Sequence, residues 1–255
     1  MKDFKKDIEI ASSGTEDDLR VLVLHHSFEV VAAILKNKNL TEDIALIIAN
    51  RKNISPELLE SLFHDTRWKD SYRIMLSLCK NTKTPQKISL SLLKSIKIFD
   101  LADLTRNQFV PVNMKLKAEA VINEKIPSIP LGIKMAIAKR AGSGVLMKLM
   151  EEGKKEVVAA CLDSPYITES VIYRIISRKT VSPRIIWQIA DHPKWSCRYQ
   201  IQWALILNIH TPLPRVLSFL KNIKKSDLKD LYEAPETPSS TKPFIYSELL
   251  EREEW

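Results

Sequence analysis

The sequence predicts an all-α protein: a right-handed α-solenoid of stacked short helix pairs, made of two tandem homologous halves. Three observations lead there. The chain repeats itself at a shift of 127 residues. Between Glu29–Leu104 and Glu156–Leu231, thirty of seventy-six gapless pairs are identical, and self-similarity of this kind marks stacked repeat architectures. Apolar residues recur at helical spacing, as in Ile44, Ile47, Ile48 and again in Ile185, Ile186, Ile189, with no clean alternation over strand lengths. Finally, Ser55-Pro56, Thr84-Pro85, Ser182-Pro183 and Thr211-Pro212 each precede an apolar helical run. A hydroxyl at the N-cap accepts from an orphan backbone N–H. Proline at the next position loses nothing, because its missing N–H would have had no partner.

These starts order the elements. Thr41-Glu42 and Thr168-Glu169 hold equivalent places, so helix starts fall at 41, 55, 84 and again at 168, 182, 211, steps of 14 then 29 residues in both copies. The shorter step has room for one helix and a turn, the longer for two. Helices are predicted near 4–13, 16–24, 28–36, 42–52, 56–64, 69–80, 85–95 and 99–105. The second half gives 114–124, 130–140, 144–151, 155–163, 169–178, 183–191, 196–207, 213–222 and 227–233. Short helices on short loops pack as antiparallel neighbours and stack. The predicted organisation is a first half over 1–127, a second over 128–232, and a tail over 233–255. Pro235–Pro243 reads as a linker. Phe244, Ile245, Leu249 and Leu250 fit a short amphipathic helix, expected to dock back and cap the stack, with Phe244 and Leu249 buried.

Composition narrows the function classes. Five glycines argue against glycine-lined phosphate loops. No run of eighteen apolar residues exists, so no membrane span is expected, and Met1–Ile8 lacks a secretory apolar segment. Cys79, Cys161 and Cys197 are widely spaced and read as small buried hydrophobes in a reducing compartment. The expected location is the cytoplasm. Net charge is +8, split between −4 over 233–255 and +12 over 1–232, which raises the prospect of a basic face for an acidic partner.

At these residues the chain resembles the bacterial variant leucine-rich repeats and the wider HEAT-like helical repeats. Ile189-Ala-Asp-His-Pro-Lys-Trp-Ser-Cys-Arg198 leads into Ala204, then Asn208-Ile-His-Thr-Pro212 and Val216-Leu217. His64-Asp-Thr-Arg-Trp68 leads into Arg73, Asn81 and Thr84-Pro85. Glu156–Thr168 and Glu29–Thr41 are looser copies. The resemblance covers about half the chain. Its motifs are cap and core residues, so it implies helix stacking and no activity. Some variant repeats accompany an iron–sulfur cluster on clustered cysteines; none are clustered here, and no cofactor is carried over.

The candidate partner-binding residues are cationic and aromatic. Arg51-Lys52 and Arg178-Lys179 end matching helices, where cations complement the helix dipole. With Arg67, Arg73, Arg174, Arg184, Lys194 and Arg198 they form a candidate ridge for phosphates or an acidic peptide. Trp68/Tyr72 and Trp195/Tyr199 hold the same register in both copies and read as plugs between layers. Trp187 and Trp203 match Glu60 and Leu76, so they are candidates for a role peculiar to the second half, Trp being a frequent interface anchor.

Catalytic and metal patterns are weak. The five histidines offer no convincing pair four apart with a completing carboxylate. His64-Asp65 and Asp191-His192 occupy matching turns and read as turn caps. Asp100/Asp103 and Asp227/Asp230 recur inside Asp-Leu-x-Asp-Leu; paired carboxylates can do acid–base work, but beside leucines they fit the polar side of a short helix. No Walker loop, Gly-x-Ser-x-Gly or Cys-x-x-Cys appears. The expected function is a non-enzymatic scaffold holding a protein or peptide on a concave face, with nucleic-acid binding by the basic body as the alternative. The discriminator is where the arginines point. A continuous basic stripe favours nucleic acid, and a mixed groove with exposed aromatics favours protein.

Overall fold

The computed structural model describes residues 4–178 and 180–252. Lys179 of the Arg178-Lys179 pair and residues 253–255 of the acidic tail lie outside the described residues. Within them the chain is all-α, with eighteen α-helices and no strand. It divides into two compact units, Met1–Glu124 and Lys125–Trp255.

The first unit holds α1 (Lys5–Ser13), α2 (Glu16–Leu22), α3 (Phe28–Lys36), α4 (Glu42–Asn50), α5 (Pro56–His64), α6 (Tyr72–Lys80), α7 (Gln86–Leu92), α8 (Ile98–Arg106) and nearly all of α9 (Val112–Lys125). The second holds α10 (Leu131–Ala138), α11 (Ser143–Glu151), α12 (Lys155–Leu162), α13 (Glu169–Ile176), α14 (Pro183–Asp191), α15 (Tyr199–Leu207), α16 (Leu213–Leu220), α17 (Lys225–Glu233) and α18 (Lys242–Glu251). Every helix expected from the sequence is present. The largest shifts are at α7, which ends three residues early where Leu93–Ser95 turns 3₁₀, and at α6 and α15, which begin three residues later than the pattern predicts. The cause is local: Thr66–Trp68 forms a 3₁₀ turn capped by Asp65, whose carboxylate accepts from the Arg67 N–H at 2.9 Å. The Trp therefore precedes the helix, and Ser71 caps α6 by accepting from the Ile74 N–H.

Ser55 caps α5 with Pro56 behind it, as the Ser-Pro signal predicts. The Thr-Pro pairs behave differently. Pro85 and Pro212 are themselves the N-caps of α7 and α16, and the threonines sit one residue earlier. Thr211 Oγ1 instead donates to the Leu205 carbonyl at 2.6 Å, closing the turn from α15, and Thr237 does the same for Leu231. The expectation that Thr84 and Thr211 are N-caps is thus corrected. Thr211 turns back to the helix just ended, whereas Thr84 Oγ1 is buried with no hydrogen-bond partner among the described residues.

Within each unit, helices pack on their next-but-one neighbours: α1 on α3, α3 on α5 and α4 on α6; then α10 on α12, α12 on α14, α13 on α15 and α16 on α18. The buried stripes supply the contacts, with Ile34, Ile48, Leu59 and Leu62 in the first unit and Val157, Ile172, Ile186 and Leu205 in the second.

A polar rule accompanies this packing. The last carbonyls of a helix have no partner within it. Here a side chain at the end of one helix donates to the carbonyls ending the helix two before. Asn37 serves Ala11, Arg51 serves Val23 and His25, and Arg67 serves Leu35 and Asn37. Asn81 serves Ala49 and Arg51, Trp195 serves Leu162, Asn208 serves Ile176, and Arg252 serves Leu220, Lys221 and Ile223. Each Asn also accepts the N–H two residues on, folding the chain into its next turn.

Candidate functional site

The polar rule sorts the ten candidate residues. Arg51 is committed to two carbonyls at 2.9 Å, and burial lowers its pKa from the ordinary arginine value. Arg67 grips Asp65 through two nitrogens and reaches the Leu35 and Asn37 carbonyls at 2.5 and 2.8 Å. Arg73 pairs with Asp43 at 3.0 Å. The first unit's candidate arginines are therefore engaged in holding layers together. Lys194, at the position matching Arg67, lies 4.4 Å over the Trp195 ring. It leaves the Leu162 carbonyl to Trp195, which is buried and donates to it at 2.9 Å. Trp203 is half-buried on α15.

Arg174, Arg184 and Arg198 remain. All three are exposed, with no ion-pair partner for their side chains among the described residues. All belong to the second unit. Their matched positions in the first copy are Ile47, Glu57 and Ser71. Beside them the second unit exposes large apolar groups: Trp187 is 50% exposed, Ile209 74% and Tyr173 40%. Trp187 is fixed in place, for its Nε1 donates to the His210 carbonyl at 2.9 Å. Arg184 sits one turn before Trp187 on α14, and Arg174 follows Tyr173 on α13. The first copy carries Glu60, Thr82 and Leu46 where Trp187, Ile209 and Tyr173 stand. Buried positions of the two matched stretches correspond, as at Val30 and Val157, Ile74 and Ile201, and Leu101 and Leu228, while these surface positions diverge.

The divergence surrounds two grooves. One, about 620 Å³, runs between the ends of α13 and α15 and is walled by Tyr173, Arg178, Leu207, Ile209, His210 and Pro238. The other, about 290 Å³, is walled by Glu151, Ile175, Val181 and Ile185. Arg178 lines both. Its guanidinium pairs with Glu151 and touches Met147 Sδ at 3.3 Å. Burial alone would raise the Glu151 carboxyl; hydrogen bonds from Arg178 and Lys148 outweigh it and hold the group below its ordinary value.

Charge follows the same division. Residues 1–124 carry 19 lysines and arginines against 17 acids, whereas 125–232 carry 18 against 8. Nearly all of the basic excess belongs to the second stretch. Over the matched stretches alone the difference is small, 12 against 9 in 29–104 and 11 against 6 in 156–231, so most of the asymmetry comes from the residues that flank them. A groove of about 750 Å³ also exists in the first unit, beside Phe28, Leu58 and His64. Its arginine is Arg67, already held by Asp65 and two carbonyls.

The remaining sequence candidates resolve into structure. Tyr72 Oη donates to Asp100 and accepts the Lys97 N–H at 3.1 Å; Tyr199 does the same with Asp227 and Lys224 at 3.2 Å. Asp103 pairs with Arg106. His192 accepts the Lys194 N–H through Nδ1 and meets Asp163 through Nε2 at 3.1 Å, a turn-capping arrangement. Among the described residues, no group of three or more His, Cys, Asp or Glu converges as a metal set. Compared with protein-family models, curated proteins and solved structures, the chain matches none.

Proposed function

We propose that this chain is a non-enzymatic α-solenoid scaffold whose second unit binds a protein partner. Each unit would be a stack of helix pairs related to the variant leucine-rich and HEAT-like repeats, and the two units would be copies of one ancestor. The support for the stack is the next-but-one packing together with the donors that tie each helix end to the helix two before. The support for the duplication is the gapless identity and the paired Tyr–Asp and Asn–carbonyl contacts at matched positions. Cys79 and Cys161 are buried as expected, whereas Cys197, also expected to be buried, is exposed; a cytoplasmic location is part of this reading and rests on the unpaired cysteines.

One observation carries the functional reading: exposed Trp187, Ile209 and Tyr173 stand beside unpaired arginines, in the second copy alone. Aromatics and arginine dominate interface hot spots. Arg174 follows Tyr173 and Arg184 sits one turn before Trp187, so these exposed arginines have apolar neighbours, and the first unit's candidate arginines are already engaged; both points support the protein reading. The test is a pull-down from native lysate, with and without nuclease, comparing the unaltered chain with Trp187→Ala and Ile209→Ser. We expect a protein retained after nuclease and lost in both variants. Retention that vanished with nuclease would favour the nucleic-acid alternative.

A further inference from the structure

We infer that Glu151 holds, in the free protein, the place that an acidic side chain of the partner takes when bound, and that Arg178 is the residue that reads it. The inference rests on the proposed protein-binding role of the second unit and names the partner's chemistry: an extended peptide segment with an Asp or Glu next to apolar side chains on one side.

The argument begins from the two matched arginines. Arg51 donates to two backbone carbonyls, at Val23 and His25. Those acceptors are fixed by the helix they end, and no ligand can replace them without leaving them unpaired. Arg178 instead binds a side chain. Glu151 swings on three bonds, and both partners are partly open to solvent, 39% for Arg178 and 33% for Glu151. At the same shift of 127 residues, the first copy has Leu24 where the second has Glu151. The second copy has thus exchanged a locked arginine for a releasable one.

Position favours the same reading. Arg178 is shared by the two grooves, so a segment lying along both must pass its guanidinium. A planar fork of donors suits a carboxylate. Tyr173, Ile209 and Pro238 offer apolar seats to one side; on the other side Val181 and Ile185 are buried and Thr180 and Ser182 make the wall polar. Arg174 and Arg184, without partners of their own, add positive potential on both helices. On binding, the partner's carboxylate would take Arg178, and Glu151 would turn to Lys148, which it already meets at 3.0 Å.

The test uses the full chain and random ten-residue peptides displayed on phage. Peptides are selected on the unaltered protein. One is then synthesised with a copy in which each Asp and Glu is replaced by its amide. We expect the selected peptides to combine acidic and apolar residues. Glu151→Gln, which removes the internal competitor, should bind the acidic peptide several-fold more tightly, and Arg178→Gln at least ten-fold more weakly. The amide copy should not distinguish the unaltered chain from Glu151→Gln. Thermal melting checks that each variant is folded, and Glu151→Ala repeats the measurement with a second side chain. An acidic-peptide affinity that is equal or weaker in both Glu151 variants overturns the inference, and so does selection of neutral peptides or of none. If binding ignores Glu151 and Arg178 but is lost with Trp187→Ala, the inference fails and the protein-binding surface stands.

Discussion

Tyr72 shows how a single side chain is made to serve the stack. Its hydroxyl links the start of α6 to the start of α8, giving to Asp100 and receiving from the Lys97 N–H. Burial first, then the hydrogen bond to Asp100, pushes its pKa up to about 12 from an ordinary 10.0. Between those values the unfolded chain loses the phenolic proton and the folded chain keeps it. The folded state then binds more protons, so stability falls as pH rises through this window. Urea midpoints at pH 9 and pH 11 should therefore drop more for the unaltered chain than for Tyr72→Phe. At neutral pH the same variant should lose about 1 kcal/mol, an ordinary hydrogen bond's net contribution. Parallel pH slopes would contradict the role given to Tyr72. The recurrence of Trp-x-x-x-Tyr and Asp-Leu-x-Asp-Leu in both matched stretches was visible in the sequence, but that Tyr72 bonds to Asp100 was not, because 28 residues separate them. Arginine is ambiguous for a similar reason. Its donors suit a helix end and a foreign carboxylate equally, so Arg51 and Arg178 look alike until their acceptors are seen.

At the scale of the element, helix placement was largely legible. Proline and hydroxyl residues mark starts, and apolar periodicity marks length. The misplaced starts of α6 and α15 came from reading Trp68 and Trp195 as helical, when a short capped turn intervenes. The joints between layers were not legible. A donor 26 to 33 residues from its acceptor has no periodic signature, although Asn as the C-cap of α3, α6 and α15 was a partial cue. The tail helix was anticipated, and α18 docks on α16 and α17 with Ile245 and Leu249 buried. Phe244, expected to be buried, is only half so; Ile245 takes the inward position. Arg252 completes the joint by serving three carbonyls around the end of α16. Ending the chain after Thr241 should expose this face and cost several kcal/mol, at roughly 1.5–3 kcal/mol per buried aliphatic side chain. Calorimetry should show a lowered melting temperature; an unchanged one would mean α18 contributes nothing to the fold.

At the scale of the whole molecule, the two matched stretches keep a common core and part company at the surface. The first carries 12 lysines and arginines against 9 acids, with its candidate arginines bound inward or to neighbouring acids. The second carries 11 lysines and arginines against 6 acids, and its Arg174, Arg184 and Arg198 are exposed, with Tyr173 and Trp187 near the first two in sequence. Comparing one matched stretch with the other separates what the shared core requires from what the proposed binding surface would add. The most direct measurement transplants the first copy's residues into the second: Tyr173→Leu, Arg174→Ile, Arg184→Glu, Trp187→Glu and Ile209→Thr in one full-length chain. Matched positions already accept these residues in the same register, so helicity by circular dichroism should be retained. Affinity for the partner retained after nuclease should fall by at least two orders of magnitude. A folded variant that bound its partner as tightly as the unaltered chain would contradict the assignment of binding to this face.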